Sequence, residues 1–353
     1  MTRVLAIETS CDETAASVVS FGDQAAAGTP SGPPALLSGP ARVLSSVVSS
    51  QVDLHARYGG VVPELAGRAH LDLLTPVVAQ ALVEAGVADR PDGRPDLDAV
   101  AATVGPGLIG SLLVGVSAAK AMALAWDIPF VGVNHLEGHL AAAFLEEPDL
   151  DPPLVVLLVS GGHTMLVLMQ GPGSYRVLGQ TIDDAAGEAF DKVARFLGLG
   201  YPGGPAIDRA AMEGDPKAVE FPRAMRDEGY DFSFSGIKTS VVTYVRKHPE
   251  AAVIDVAASF QEAVVDVLVT KARRAALDLG ARGLCLAGGV AANSLLRERT
   301  LDVCIAEGLH PFIPSRAFCT DNAAMIGAAA AWRLAASGPS PLDLGADPNL
   351  GLD

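Results

Sequence analysis

The chain opens twice in the same way. Residues 4–8 and 15–20 read as short β runs joined by the polar turn Thr9-Ser-Cys-Asp-Glu-Thr14, and residues 154–159 and 164–169 repeat that arrangement around Ser160-Gly-Gly-His163. A strand–turn–strand unit followed by alternating helices and strands, met twice, predicts two α/β lobes related by duplication. A length of 353 residues accommodates both, since single cores seldom grow past ~250–300 residues. The likeness between the halves is architectural and weak residue by residue.

The remaining elements follow from local pattern. In the first half, 43–49 reads as a third strand and 63–86 as a helix in which Pro76 is expected to mark a kink or break. A buried strand at 97–104 feeds the tight turn Gly105-Pro-Gly-Leu-Ile-Gly110 and a small-residue helix at 111–125. A strand at 130–133 leads into a helix that carries two histidines. In the second half, a strand at 283–287 is followed by Gly288-Gly-Val-Ala-Ala-Asn293 and a helix at 294–308. The last helix is expected at 323–336, with Thr320 or Asp321 suited to its N-cap. The expected division is a first lobe at 1–150, completed by a C-terminal helix at 320–337, a second lobe at 151–319, and a frayed tail at 338–353. Residues 22–40, rich in Gly, Pro, Ala and Ser, read as a hairpin extension outside the core.

Composition excludes several classes. Half the residues are apolar and 19% are charged, as in a well-buried globular protein. No uninterrupted apolar run approaches the ~20 residues that span a bilayer, and the N-terminus meets Glu8 too early for a secretory signal. Cys11, Cys285, Cys304 and Cys319 lie far apart without C-x-x-C spacing, and read as reduced thiols. A cytoplasmic protein with no membrane association is expected. The net charge of −16 argues against a self-sufficient nucleic-acid binder. Charge is uneven, however: residues 192–282 hold 13 Lys and Arg against 12 Asp and Glu, and the remainder 12 against 29. A polyanion would approach that region or be brought by a partner.

The two histidines, His135 and His139, stand four residues apart, so on a helix both rings reach one metal ion. Glu137 sits midway, rotated about 200° from His135 at roughly 100° per residue, and cannot activate a metal-bound water as a zinc peptidase glutamate does. Three Gly-rich or polar turns after apolar strands (9–14, 160–163, 288–293) offer free backbone N–H groups suited to phosphate. A fourth, Tyr201-Pro-Gly-Gly-Pro-Ala-Ile-Asp208, adds a carboxylate suited to ribose hydroxyls. None matches a P-loop or a dinucleotide-binding fingerprint. Phosphate turns on two lobes point to an actin-like or sugar-kinase-like nucleotide cleft, which leaves a small-molecule kinase and a nucleotide-binding scaffold as alternatives.

The chain closely resembles the bacterial tRNA threonylcarbamoyladenosine-forming transferases (TsaD) over nearly its whole length. The resemblance is carried by Ile7-Glu-Thr-Ser-Cys-Asp-Glu-Thr14, His55-Ala-Arg-Tyr-Gly-Gly-Val-Val-Pro-Glu-Leu-Ala66, Val133-Asn-His-Leu-Glu-Gly-His139, Leu158-Val-Ser-Gly-Gly-His-Thr164, Ile182-Asp-Asp-Ala-Ala-Gly-Glu-Ala-Phe-Asp-Lys192, Asp231-Phe-Ser-Phe-Ser-Gly-Ile-Lys238 and Gly288-Gly-Val-Ala-Ala-Asn293. It implies a two-lobed actin-like (ASKHA) α/β fold. It also implies transfer of threonylcarbamoyl from threonylcarbamoyl-AMP to the exocyclic amine of the adenosine 3′ of certain tRNA anticodons. An ATP- or AMP-type nucleotide would sit in the interlobe cleft. The implied partners are tRNA, a shorter actin-like paralogue (TsaB), a P-loop ATPase (TsaE) and a separate synthase that makes the donor.

Residue by residue, the resemblance makes His135, His139 and Asp321 ligands of one divalent ion, iron or zinc. It places Leu158, Val159, Ser160, Gly161 and Gly162 at the phosphate and acyl part of the donor. Asp191, Gly204 and Asp208 would line the ribose and base end, Asn293 the phosphate or adenosine, and Asp12 and Glu13 would face the metal with catalytic roles. The archaeal and eukaryotic branch has a Tyr ligand where Leu158 stands, and Leu has no oxygen to offer, so this metal would keep an open position. Read from their own surroundings, Asn293 is equally an N-cap, and His55, His70 and His163 are expected to be hydrogen-bonded scaffold residues.

Overall fold

The computed structural model describes residues 2–22 and 41–352, so nearly all of the expected 22–40 extension lies outside the described residues. The first half runs β1 (Thr2–Glu8), β2 (Glu13–Phe21), β3 (Arg42–Ser50), α1 (Val52–Ala56), α2 (Pro63–Glu84), β4 (Ala99–Gly105), α3 (Ile109–Trp126), β5 (Phe130–Asn134) and α4 (His135–Glu146). The second runs β6 (Leu154–Val159), β7 (Thr164–Gly171), β8 (Ser174–Gln180), α5 (Ala186–Phe196), α6 (Gly203–Ala211), α7 (Ser235–Lys247), α8 (Val253–Asp278), β9 (Gly283–Ala287), α9 (Ser294–Glu307), β10 (His310–Phe312) and α10 (Arg316–Cys319). The helix α11 (Ala323–Ser337) ends the regular structure.

Two five-stranded sheets have one topology. The order is β3-β2-β1-β4-β5 in one and β8-β7-β6-β9-β10 in the other. In each, the first strand pairs antiparallel with the second and parallel with the fourth. This is the duplicated α/β unit the hairpins predict.

Strand alternation explains why these segments are apolar nearly throughout. Leu5 and Ile7 face a cluster with Leu74, Val77 and Val116 from α2 and α3, whereas Val4 and Ala6 face the opposite cluster. In the second sheet, Val155, Leu157 and Val159 pack under α5 and α8, and Leu154, Val156 and Leu158 join the cluster that contains Val4. That shared cluster, lined by α4 and α11, joins the two lobes. Both sheets are therefore covered on both faces, which accounts for continuous rather than alternating hydrophobicity.

Three expectations change, and one helix bears on the membrane expectation without overturning it. The helix α2 continues through Pro76 without ending. Residue 322, not 320 or 321, caps α11: Asn322 Oδ1 accepts from Met325 N at 3.0 Å, which leaves the Asp321 carboxylate free for other use. The helix α3 is as long and as apolar as a membrane span. It packs against β4 and α2, however, with Ser111, Leu112, Val116, Ala119 and Ala123 buried. Finally, the stretch after α11 is a fastened strap rather than a frayed end. Leu344 and Leu350 pack on the α2–α3 cluster, Asp347 N donates to Val104 O (2.8 Å), Gly132 N to Ser340 Oγ (3.0 Å) and Asn134 Nδ2 to Gly351 O (2.5 Å).

Candidate metal centre and the turns that face it

The helix α4 starts directly where β5 ends. Asn134 turns the chain and caps it, its Oδ1 accepting from Leu136 N at 2.8 Å and Glu137 N at 3.4 Å. The helix is buried on all sides from His135 to Phe144, not laid on the surface. Gly138 makes this possible: a Cβ there would stand 2.7 Å from Ile326 Cδ1, so α11 crosses α4 at close range and carries Asp321, just ahead of its first turn, to the histidines. Glu137 points elsewhere, accepting from Tyr175 Oη (3.0 Å) and pairing with Arg333 of α11. It takes no part in the cluster.

His135, His139 and Asp321 each offer one ligand atom, all within 4.8 Å of one another. Asp321 Oδ1 lies 3.2 Å from His139 Nε2 and 3.6 Å from His135 Nε2. The shorter approach has ion-pair distance but not hydrogen-bond direction, so both nitrogens of the buried His139 ring lack a partner among the described residues. Buried imidazole nitrogens without a donor or acceptor are costly unless something else binds them. The donor set therefore fits a divalent ion with borderline preferences, and the buried imidazole atoms face its position.

Sequence reasoning missed the residue behind this cluster. Glu8, wholly buried at the end of β1, has Oε2 3.0 Å from His135 Nδ1 and accepts from Thr103 Oγ1 at 2.6 Å, while Oε1 accepts from Ser10 N. Burial disfavours its charge, but His135 and these donors outweigh that and hold the carboxyl below the usual range. Asp321 is likewise held low against burial, by His135 and His139. Burial works against a charged His135 too, and the Asp321 and Glu8 carboxylates overcome it, raising the ring to about 9. Two carboxylates thus create a field that demands a cation.

The first turn stands beside the cluster. Glu13 accepts from Ser50 Oγ at 3.1 Å, and burial together with the Asp321 and Asp12 carboxylates pushes its carboxyl up to about 9. Asp12 O accepts from Gln51 N at 2.9 Å. The Cys11 thiol is pushed up by burial and then by Asp12, which removes it as a nucleophile. His70 braces the turn through Thr14 Oγ1 (2.8 Å) and Cys11 O (3.0 Å), and His55 bonds Gln51 Oε1 (3.2 Å) and Val62 N (3.2 Å), both as scaffold residues should. His163 differs from its expectation. Its ring has no hydrogen bond among the described residues, and burial, then the positive charge of His135 and His139, lowers it to about 4.

The second lobe contributes a connected set of turns. Ser160 N donates to His163 O (2.8 Å) and His163 N to Ser160 Oγ (3.1 Å), closing the 160–163 turn. Gly288 brings the β9 turn against it, since a Cβ there would lie 2.5 Å from Val159 O. Asp191 Oδ1 accepts from Gly203 N at 2.7 Å, fixing α6 to α5. Burial raises the Asp191 carboxyl, with Asp12 of the first lobe among the contributing charges. Burial and then Asp12 also raise Tyr201, so the charge of Asp12 acts on both residues of the second lobe.

Other expected ligand positions have prior engagements. Asp208 Oδ1 accepts from Ser294 Oγ at 2.6 Å, and Asn293 caps α9 through Leu296 N (3.0 Å) while donating to Gln261 Oε1 (2.8 Å). The side chains of Leu158 and Val159 are wholly buried in opposite clusters, so only their backbone could meet a ligand. By contrast, a Cβ at Gly161, Gly162 or Gly204 would meet nothing within 4 Å.

A sequence model described as "TsaD: tRNA N6-adenosine threonylcarbamoyltransferase" matches residues 42–328. The tRNA N6-adenosine threonylcarbamoyltransferase of Anaeromyxobacter dehalogenans is 56% identical over 353 residues, covering 99% of both chains. That of Geobacter sp. strain M21 is 51% identical over 99% of this chain and 96% of its own. In fold, the chain is similar to component A of (R)-2-hydroxyglutaryl-CoA dehydratase from Acidaminococcus fermentans, with a TM-score of 0.53, 13% identity, and coverage of 94% and 97%. The architecture is two-lobed and actin-like, and the chain belongs to the TsaD family of tRNA N6-adenosine threonylcarbamoyltransferases.

Proposed function

We propose that the chain transfers threonylcarbamoyl from threonylcarbamoyl-AMP to the exocyclic amine of the adenosine 3′ of the anticodon in tRNAs reading ANN codons, using a divalent ion held by His135, His139 and Asp321. The observation that carries the reading is the His₂Asp cluster, in which the His139 ring nitrogens have no hydrogen-bond partner among the described residues. When bound, an iron or zinc ion supplies Lewis-acid charge that offsets negative charge on the reacting group. The 160–162 backbone holds donor oxygens where no Cβ obstructs them. Asp191, Gly204 and Asp208 take the ribose and base end, with Asn293 fixing the neighbouring turn. The amine nitrogen attacks the carbamoyl carbon, the bond from that carbon to the phosphate oxygen breaks, AMP leaves, and Asp12 takes the amine proton. Glu13 shapes the charge around it. The raised Cys11 thiol supports direct attack without a covalent enzyme intermediate.

The partners follow from charge and surface. A net charge of −16 supports weak tRNA binding by the chain alone, and hence help from other proteins. Leu71, Ile109 and Leu113 are exposed on α2 and α3, an apolar face suited to a helical partner such as the shorter actin-like paralogue TsaB. A P-loop ATPase (TsaE) and a separate donor synthase complete the system, in the cytoplasm where tRNA is found. The test supplies the adenylate donor and compares AMP release with and without tRNA, for the natural chain and for His139→Ala. Release that depends on tRNA and is lost in the variant is expected. Full transfer by His139→Ala would end the metal assignment.

A further inference from the structure

We infer that Arg57, Tyr58 and Arg195 form the seat for the tRNA anticodon loop at the seam between the lobes. The inference rests on the transferase reading and adds where the acceptor docks.

Position comes first. The loop 57–60 follows α1, whose preceding residue Gln51 is tied by its N–H to Asp12 O. Arg195 lies on α5 one turn beyond Asp191, so the two share a helix face, and Arg195 is among the charges that act on Asp191. The loop and the arginine meet: Arg195 Nε stands 3.5 Å from where a Cβ on Gly59 would be. Gly59 has φ +68° and Gly60 φ +156°, left-handed values that let the loop fold back without a side chain between it and the guanidinium. Residues of both lobes thus meet in one patch, on the face of α5 that also carries Asp191.

Chemistry comes second. Tyr58 is 59% exposed, and Arg57 and Arg195 are both exposed with no ion pair among the described residues. The chain pairs many of its other cations, including Lys192, Lys238, Arg223 and Arg273. Two guanidinium groups without ion pairs among the described residues, one on and one against the loop that carries an exposed ring, suit RNA in a single-stranded loop, where splayed bases stack on aromatic faces and phosphates meet arginine. In a chain of net charge −16, such a patch beside the site selects a polyanion.

The test uses the full chain with the partner proteins proposed above and measures KM for tRNA and kcat separately, across a salt series. Tyr58→Ala is expected to raise the tRNA KM roughly tenfold with kcat nearly unchanged, and Tyr58→Phe to restore it, as stacking requires. Arg57→Ala with Arg195→Ala is expected to raise KM and to flatten the salt dependence by about 1.4 in log–log slope, for two single-strand phosphate contacts. Thermal melting should match the natural chain in all three, and donor KM in both Tyr58 variants. A tRNA KM within twofold of the natural value together with an unchanged salt slope in the double variant would overturn the seat while leaving the transferase reading intact. A natural chain that transfers nothing to tRNA would instead overturn the reading beneath it.

Discussion

Glu8 Oε2 and His135 Nδ1 lie 3.0 Å apart although 127 residues separate them in the chain. An ionised carboxylate can only accept, so Nδ1 carries the proton and Nε2 is left to face Asp321. Carboxylates behind metal-bound imidazoles fix the tautomer and orient the ring, and their loss typically lowers metal affinity ~10–100-fold. Glu8→Gln should therefore weaken metal binding in that range, measured by competition against a chromophoric chelator. An affinity equal to the natural chain's would show that Asp321 and the helix cap alone set the ring.

Glu13 gives a pH prediction whose sign is fixed. Its folded carboxyl titrates near 9, against an ordinary value of 4.5, because burial, Asp321 and Asp12 disfavour the charge. The folded state therefore binds more protons than the unfolded one between these values, and stability from this group is present below the lower and lost as pH rises through the upper. Glu13→Gln stays neutral throughout. In chelator-treated protein, the Tm of the variant should draw above that of the natural chain steadily from pH 5 to pH 9. Parallel Tm curves over that window would refute the charge crowding.

Glycines at the second-lobe turns separate packing from ligand space. A Cβ on Gly187 would collide with Ser160 O, whereas one on Gly161 would meet nothing within 4 Å. Gly187→Ala should cost about 1–3 kcal/mol in unfolding free energy, by displacing α5 from the turn. Gly161→Ala should leave denaturant stability unchanged and raise the donor KM, because the new methyl enters the space assigned to the donor. Equal stability losses in both variants would mean that the 160–162 turn is packed structure and not a binding surface.

The sequence made some layers of this molecule legible and hid others for physical reasons. Both hairpins and the helix spacing of His135 and His139 could be read, because strand period, helix period and Gly turns leave local marks, whereas the return of Asp321 came only from the family resemblance. Glu8 left none, since a buried acid at a strand end has the same local pattern as a turn residue until its partner is known. The helix α8, absent from the sequence-based expectations, does carry such a mark: Phe260, Val264, Leu268 and Lys271 are buried along one face, and Glu262, Asp266, Thr270 and Arg273 form a polar stripe at helical spacing. His163 and Asn322 show the same limit as Glu8 at single positions. Which neighbour a polar side chain finds depends on contacts between distant elements.

The C-terminal strap is the plainest case of that limit. Gly, Pro and Asp content in 338–353 suggested a loose end, yet its backbone bonds Val104, its Ser340 holds Gly132 N, and Gly351 O receives the Nδ2 of Asn134, the residue that caps α4. Cutting the chain after Gly338 removes these bonds and uncovers the surface that Leu344 and Leu350 shield. The loss should be on the order of 3 kcal/mol or more in unfolding free energy, from two leucine side chains and their hydrogen bonds. It should also loosen the start of α4, so metal affinity should fall in the truncated chain at a temperature where it remains folded. Denaturant unfolding and chelator competition on the same preparation measure both effects. A truncated chain with unchanged stability and unchanged metal affinity would return the strap to the status of a tail.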